Sequence, residues 1–282
     1  FVLLRVIAKV AINFKFKRLF MRKFQQLQKI FLVLVVTIGF FTSCSTSNKQ
    51  QLTRIKAENI AITDTLTGVA AIEEFILPYR EHVDAEMNKV LAQNANDLVK
   101  DRSTTLLNTP ISNFMADATY EIIAPAYKKR TGEDVDFVML NWGGIRSDLP
   151  KGPITMGSAY NLMPFENSAV VLTMKGEKVQ EMADYLIKHR KPHPLSKQVA
   201  LQITKDGKIT QFTINGKPFD PKATYRVVTS DYLLNGGDEM YFFKDAVKVE
   251  SLNYKLRNVL IDYFKQIDVL NPQEDHRFEY KP

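Results

Sequence analysis

Apolar residues recur along the chain at two spacings, one typical of helices and one typical of strands. The helical spacing predicts four helices, which cover residues 68–98, 110 to about 132, 177–189 and 252–267. Short apolar or alternating runs predict strands over residues 135–140, 169–174, 198–204, 209–214 and 225–229. Pro78 is a point where the first helix can break, and Gly132 suits a C-terminal cap of the second.

The order of these elements predicts the fold class. Asp206-Gly207 lies between two alternating runs and supplies the positive φ angles of a tight hairpin turn. Helices alternate with strands elsewhere, and no repeat of fixed period occurs. The sequence therefore predicts a mixed α/β (α+β) domain over residues 68–282, in which helices are layered on a mixed sheet.

Positive charge is concentrated at the beginning of the chain. The first 43 residues contain eight Lys and Arg and no acidic residue, which leaves 30 basic against 31 acidic residues from position 44 onward. A protein that binds nucleic-acid polymers carries clustered Lys and Arg on its folded domain. This distribution excludes nucleic-acid polymers as partners.

Residues 21–43 have the layout of a signal peptide of the lipoprotein type. Basic residues precede an apolar run over 30–41, which is shorter than the ~20 residues of a membrane-spanning helix. Cys44, the single cysteine, follows small polar residues and resembles the lipidation site of a bacterial lipoprotein. The alternative is an ordinary cleaved signal with an incidental cysteine. Residues 44–67 are interpreted as a tether, and residues 1–20, which lack Met, as an upstream extension of the reading frame.

Common catalytic motifs are missing from the sequence. The four histidines, which are His82, His189, His193 and His276, have no metal-binding spacing, and each is predicted at the surface or at a helix end. No Gly-x-Ser-x-Gly elbow, Walker loop or Cys/His pair occurs. The sequence therefore predicts no metal, no cofactor and no catalytic nucleophile in this chain.

Three loops nevertheless carry residues suited to binding a ligand. Residues 141–146 follow a predicted strand and combine two glycines with Arg146, whose planar guanidinium suits phosphate or carboxylate. Residues 163–167 place Phe165 before two polar residues, and residues 229–238 lead from a strand to an aromatic residue and a glycine turn. Each loop also has a structural interpretation, with the glycines as turns, Phe165 as core and Asp238 as a cap or a solvated charge.

Together the loops resemble the C-terminal substrate-binding domain of the 5'-nucleotidase and UDP-sugar hydrolase family. The motifs Asn-x-Gly-Gly-Ile-Arg, Pro-Phe-x-Asn and aromatic-Leu-x-x-Gly-Gly-Asp occur there in this order, and the resemblance covers about residues 110–265. It implies that Arg146 contacts phosphate, Phe165 and Tyr232 form two aromatic walls around the base, and Asp238 accepts the ribose hydroxyls. The remaining residues of the implied binding site are Asn141, Gly143, Gly144, Asn167, Gly236 and Gly237.

Two features depart from the family pattern. A phosphate-binding arginine is expected shortly before the second helix, but residues 104–107 contain none and only Arg102 is near. The family's two-metal phosphoesterase half is also missing, because only 23 residues separate Cys44 from Gly68.

The resemblance implies an exported, membrane-anchored, periplasmic or cell-surface recognition half of a split 5'-nucleotidase. It would bind a nucleotide or nucleoside and act with a separate metallophosphatase, which would hold two divalent metals. Two alternatives remain, a stand-alone nucleotide-binding lipoprotein and a degenerate structural domain.

Overall fold

The computed structural model describes residues 21–23, 26–34 and 54–281. The chain divides into two units, Phe1–Thr67 and Gly68–Pro282. In the first unit, residues 21–23 and 26–34 are helical and exposed. No helix in the described ranges has the length and apolar character needed to cross a membrane. Cys44 and the predicted extension 1–20 lie outside the described residues.

The described residues of the second unit form six α-helices and eleven strands. The helices are α1 Ala70–Met87, α2 Pro110–Thr131, α3 Met156–Leu162, α4 Gly176–His189, α5 Asp231–Leu234 and α6 Leu256–Phe264. The strands are β1 Val90–Asn94, β2 Phe137–Val138, β3 Gly152–Thr155, β4 Ser168–Lys175, β5 Val199–Ile203, β6 Ile209–Ile214, β7 Lys217–Pro218, β8 Thr224–Ser230, β9 Lys248–Lys255, β10 Val269–Leu270 and β11 Phe278–Tyr280.

A four-stranded mixed sheet of order β2-β8-β4-β9 forms the centre of this unit. Strands β2 and β8 are parallel, whereas β4 is antiparallel to both β8 and β9. Successive side chains of a strand point to opposite faces, so Val171 joins one core cluster and Val170 and Leu172 join the other. Both faces of the central sheet are therefore buried.

Helices and a second sheet cover the two faces. One cluster contains Phe114 of α2 and Phe264 of α6, whose rings stack with centroids 5.4 Å apart. The other contains Val179 and Met182 of α4 together with residues of the β5–β6 hairpin. Strands β5 and β6 belong to the sheet β11-β5-β6-β7, and β10-β1-β3 is a third sheet. The predicted mixed α/β architecture is confirmed.

Local capping explains where α2 begins and ends. Thr109 and Ser112 form a capping box at its N-terminus, and Pro110 occupies the first turn, where its missing N–H costs nothing. Gly132 ends the helix at φ 77°, a conformation that a residue without a Cβ adopts readily. The predicted end of this helix is confirmed.

Two predicted helices are wrong at one end. The helix predicted over 68–98 ends at Met87, and residues Val90–Asn94 form strand β1 between β3 and β10. The helix predicted over 252–267 begins at Leu256, since Lys248–Lys255 pairs with β4 as β9. In both places, hydrogen bonds to a strand distant in sequence outweigh local helical spacing.

Helix α1 buries none of its side chains. Its apolar positions Ile72, Phe75, Tyr79 and Val83 are all exposed. The helical spacing that predicts this element therefore marks a solvent-facing apolar stripe in the described structure.

Candidate functional site

The topology of the central sheet brings the three sequence-defined loops to one edge. Because β2 and β8 are parallel, the loops that follow them, 141–146 and 231–238, leave at the same edge. Strand β4 runs the other way, with Ala169 opposite Ser230, so the loop 163–167 before β4 reaches that edge too. Three loops distant in sequence thereby become neighbours.

A pocket of about 280 Å³ lies between these loops. It is lined by Asn141, Gly143, Gly144, Arg146, Phe165, Asn167, Tyr232 and Asp238. All eight are residues that the sequence singles out. The other two predicted site residues, Gly236 and Gly237, do not line the pocket but shape the loop that presents Asp238.

A hydrogen-bonded cluster joins two of the loops across the pocket. Asn141 donates from Nδ2 to Asp238 Oδ2 at 3.0 Å, and the Tyr232 hydroxyl donates to Asp238 Oδ1 at 2.8 Å. The hydrogen bond to Asp238 is the main cause that raises the pKa of Tyr232. The Asp238 carboxylate is thus fixed between an amide and a hydroxyl.

Close approach of Tyr232 explains why residue 237 is glycine. A Cβ at Gly237 would lie 2.3 Å from Cε1 of Tyr232, closer than two carbon atoms can approach. Gly236 has φ 87°, and Asp238, two residues later, has φ 51°. The loop therefore turns through left-handed backbone. The Tyr185 hydroxyl of α4 donates to the Asp238 carbonyl at 2.7 Å and holds this turn in place.

The two pocket aromatics are not core residues. Phe165 is 40% exposed and Tyr232 is 42% exposed, which rules out the interpretation of Phe165 as core. The Arg146 guanidinium lies 5.5 Å from the centroid of the Phe165 ring, within the range of a cation–π contact. In this structure a cation therefore lies over one of the aromatic rings of the pocket.

A buried arginine that the sequence analysis missed anchors the Phe165 loop. Arg257 of α6 pairs with Glu166 and donates to the Pro164 carbonyl at 3.2 Å. The hydrogen bond from Arg257 is the main cause that lowers the pKa of Glu166. The Asn167 carbonyl also accepts from the backbone N–H of Leu256 at 2.9 Å. No local motif marks Arg257, because its role depends on the packing of α6 beside the loop.

A second cation lies beside Arg146 although no arginine occurs at 104–107. Lys100 donates from Nζ to the Ile145 carbonyl, and its ammonium is 5.1 Å from the Trp142 ring centroid. Burial lowers the pKa of Lys100, and the charges of Arg146 and Arg102 lower it further. The Arg146 end of the pocket is therefore electropositive through Lys100 as well.

His193 is not the surface or helix-end residue that the sequence predicts. It is only 4% exposed, and its Nδ1 accepts the backbone N–H of Trp142 at 3.1 Å. The imidazole therefore packs against the 141–146 loop. A lone histidine without metal-binding spacing carries no sequence signal for such a contact.

No metal site is evident in the part of the chain that the structure describes. Within residues 21–23, 26–34 and 54–281, no three His, Cys, Asp or Glu side chains are grouped to hold an ion. What the pocket offers is a pair of exposed rings, a carboxylate, two amides and an electropositive end.

Comparison with known proteins decides the family. The family model described as 5'-nucleotidase, C-terminal domain, matches residues 90–245. The chain belongs to this family. The matched segment includes all three loops of the pocket, and the domain family implied by those loops is confirmed.

Curated relatives of the family are longer than the matched segment. Protein UshA of Escherichia coli (strain K12) is 28% identical over 189 residues, which cover 65% of this chain and 32% of that protein. The 5'-nucleotidase of Vibrio cholerae serotype O1 is 25% identical over 228 residues, which cover 79% and 38%. The chain spans roughly a third of the length of these relatives.

A solved structure shows the same fold. The 5'-nucleotidase precursor from Thermus thermophilus superimposes with a TM-score of 0.61 at 25% sequence identity. The superposition covers 74% of this chain and 43% of that one. The layered mixed α/β architecture is therefore that of the family.

Proposed function

We propose that this chain is the nucleotide-recognition half of a split 5'-nucleotidase. The observation that carries the proposal is the pairing of Phe165 and Tyr232, two exposed rings from different loops that line one pocket. Two exposed rings in one pocket suit a planar ligand, and a nucleobase is such a ligand. Stacking contributes ~1–3 kcal/mol per base and tolerates any base.

The polar groups of the pocket match the rest of a nucleotide. Arg146 would bind the phosphate through its planar fork of donors, with Lys100 adding positive charge beside it. Asp238 would accept hydrogen bonds from the ribose hydroxyls, and Asn167 would contact the base. Asn141 would contact the substrate's polar groups, and the bare backbone of Gly143 and Gly144 would allow close approach.

Hydrolysis would require a partner. A separate metallophosphatase would supply two divalent metals, which activate water and stabilise the phosphoryl transition state in this class of reaction. The residues of the present pocket would position the substrate and would not act as nucleophile, acid or base.

We expect the purified chain alone to release no phosphate from adenosine 5'-monophosphate, even with added Mn²⁺ or Zn²⁺. The reason is that its four histidines lack metal-binding spacing. A phosphate-release assay checks this, and metal-dependent turnover that survives repurification would contradict it. Release that begins only when a metallophosphoesterase encoded beside this chain is added supports the split enzyme. Nucleotide binding without phosphate release on that addition supports a stand-alone binding protein instead.

Arg146→Ala tests the phosphate end of the pocket. We expect weaker binding of adenosine 5'-monophosphate by ~1.5–3 kcal/mol and no loss of adenosine binding, because the contact that is lost is a charge-assisted one to phosphate. Calorimetry with both ligands measures the difference. Arg130→Ala is the matched control, since Arg130 is an exposed arginine of α2 outside this pocket. Equal losses for both ligands would show that Arg146 does not serve phosphate.

We also propose that the protein is exported and held at a membrane through acylated Cys44. The support is the sequence of residues 21–44, which has the layout of a lipoprotein signal. Mass spectrometry of the N-terminal peptide from membrane-extracted protein detects the acyl groups, and an unmodified Cys44 there would refute the anchor.

A further inference from the structure

We propose that His193 is a positioning residue of the pocket, whose neutral imidazole fixes the Trp142 N–H and thereby sets the loop that carries Asn141 and Arg146. This inference rests on the proposed function only in taking adenosine 5'-monophosphate as the ligand of the test. The contact itself joins two buried groups of the chain.

The contact of His193 continues a hydrogen-bond ladder that begins in β2. Alternate N–H groups from β2 onward point to the segment 193–196: Val138 donates to Ser196 Oγ at 2.9 Å and Leu140 to the Pro194 carbonyl at 2.8 Å. The next N–H of this series belongs to Trp142, and it donates to His193 Nδ1 at 3.1 Å. A side chain therefore takes over the ladder at the point where the backbone turns into the pocket loop.

His193 is also linked to the opposite loop, through Tyr185 of α4. Its ring meets the edge of Tyr185 with centroids 5.8 Å apart, and the Tyr185 hydroxyl donates to the Asp238 carbonyl at 2.7 Å. Asp238 is in turn bonded to Asn141 at 3.0 Å. His193 and Tyr185 together support both loops whose side chains meet across the pocket.

The chemistry of the contact requires one protonation state. Nδ1 accepts a hydrogen bond only in the neutral ring that carries its hydrogen on Nε2, and Nε2 has no hydrogen-bond partner among the described residues. Protonation would place a hydrogen on Nδ1 directly against the Trp142 N–H. The loop anchor exists only while the ring is neutral.

The surroundings of His193 set the pH range of this anchor. The pKa of His193 is lowered to about 4, mainly by burial and also by the charges of Lys191 and His189, whereas the Asp238 carboxylate and a backbone hydrogen bond with Leu140 raise it. Tyr185 of α4 faces the ring as well. In the folded protein the anchor is therefore present at neutral pH and is lost as the pH falls through about 4. As the pH falls, the contribution of the anchor to stability begins to decline already below about 6.5, the pKa of histidine in the unfolded chain.

The molecule contains its own reporter for this loop. Trp142 is the single tryptophan of the chain and is 8% exposed. Its fluorescence therefore reports the environment of the loop with or without a ligand. Because this signal needs no ligand, a failure of the positioning role can be distinguished from a failure of the proposed function.

Two substitutions of His193 separate the anchor from general packing. His193→Phe fills the space without an acceptor, and His193→Asn offers an amide oxygen near the position of Nδ1. We expect His193→Phe to shift Trp142 emission and to weaken binding of adenosine 5'-monophosphate about tenfold, the value of one hydrogen bond. We expect His193→Asn to restore most of the affinity and to abolish the change of emission that wild type shows as the pH falls towards 4.

His189→Asn is the matched control, because His189 also stacks on Tyr185 but does not accept the Trp142 N–H. The emission change should persist in this variant and move to higher pH, since a charge that lowers the pKa of His193 is lost. If His193→Phe does not fold, the pH profile of His193→Asn against wild type decides alone. Identical pH profiles of those two proteins would overturn the proposal, as would unchanged emission and affinity in folded His193→Phe. If wild type does not bind the nucleotide but the transition still depends on His193, the positioning role stands and the proposed ligand is wrong.

Discussion

Replacing Arg277 by Ala is expected to lower the free energy of unfolding by about 3–5 kcal/mol, because it leaves partly buried carboxylates without their cation. Arg277 is buried and donates to Asp117 at 2.8 Å, to Asp275 at 2.6 Å and to the Leu195 carbonyl at 2.7 Å. These contacts tie the C-terminal segment to α2 and to the segment that carries His193. Urea unfolding at neutral pH measures the loss.

The control for Arg277 is Arg80→Ala on α1, where an exposed pair with Glu73 at 2.9 Å should contribute no more than about 1 kcal/mol. The loss at Arg277 should also depend on pH. Burial raises the pKa of Asp275, but hydrogen bonds and charge from Arg277 outweigh it, and the net shift is downward. The contribution of Asp275 is therefore present above its unfolded value of about 3.9 and is lost as the pH falls below it. Equal effects of the two arginine variants would contradict the role of the buried cluster.

Truncation of either pocket aromatic should weaken ligand binding without unfolding the protein. Phe165→Ala and Tyr232→Ala are each expected to reduce the affinity for adenosine by ~1–3 kcal/mol, since each removes one stacking surface. The melting temperature should change little, because both side chains are exposed to solvent without a ligand. Calorimetry and thermal unfolding of the same samples measure the two effects.

Phe264→Ala is the matched core control for these variants. Its ring is fully buried against Phe114, and its loss should cost about 3–5 kcal/mol of stability. Tyr232→Phe keeps the ring and removes only the hydroxyl that donates to Asp238. A large fall in stability for Phe165→Ala, or no change in affinity for either Ala variant, would show that the rings do not bind a base.

The sequence predicts correctly those parts of the fold that depend on local interactions, such as helix caps and tight turns. Helix α2 has a capping box at one end and Gly132 at the other, and the β5–β6 hairpin has Asp206-Gly207 between its strands. Local spacing predicts helix for β1 and for the end of β9, whose partner strands lie far away in the sequence. Pairing with distant strands leaves no trace in local periodicity.

The same division applies to the site. Short motifs mark the three loops, and the structure brings those loops to one pocket. The residues that hold the loops in place, namely Arg257, Tyr185 and His193, come from other elements and act through single tertiary contacts. Lys100 likewise donates to the carbonyl of Ile145, next to Arg146, from a segment without a motif. Pocket-lining residues can therefore be found from sequence here, whereas their supports cannot.

The position of Arg146 over Phe165 couples the two ends of any nucleotide that binds. A guanidinium over an exposed aromatic ring is stabilised by ~0.5–1 kcal/mol, and a planar fragment that stacks on the same face must displace it. Under the proposed function, a phosphate group would draw the guanidinium away and free the ring. Affinities of isolated base and phosphate fragments should then not sum to that of the whole ligand. Ligand design for this pocket would do better to begin from fragments that carry an anion than from bare heterocycles.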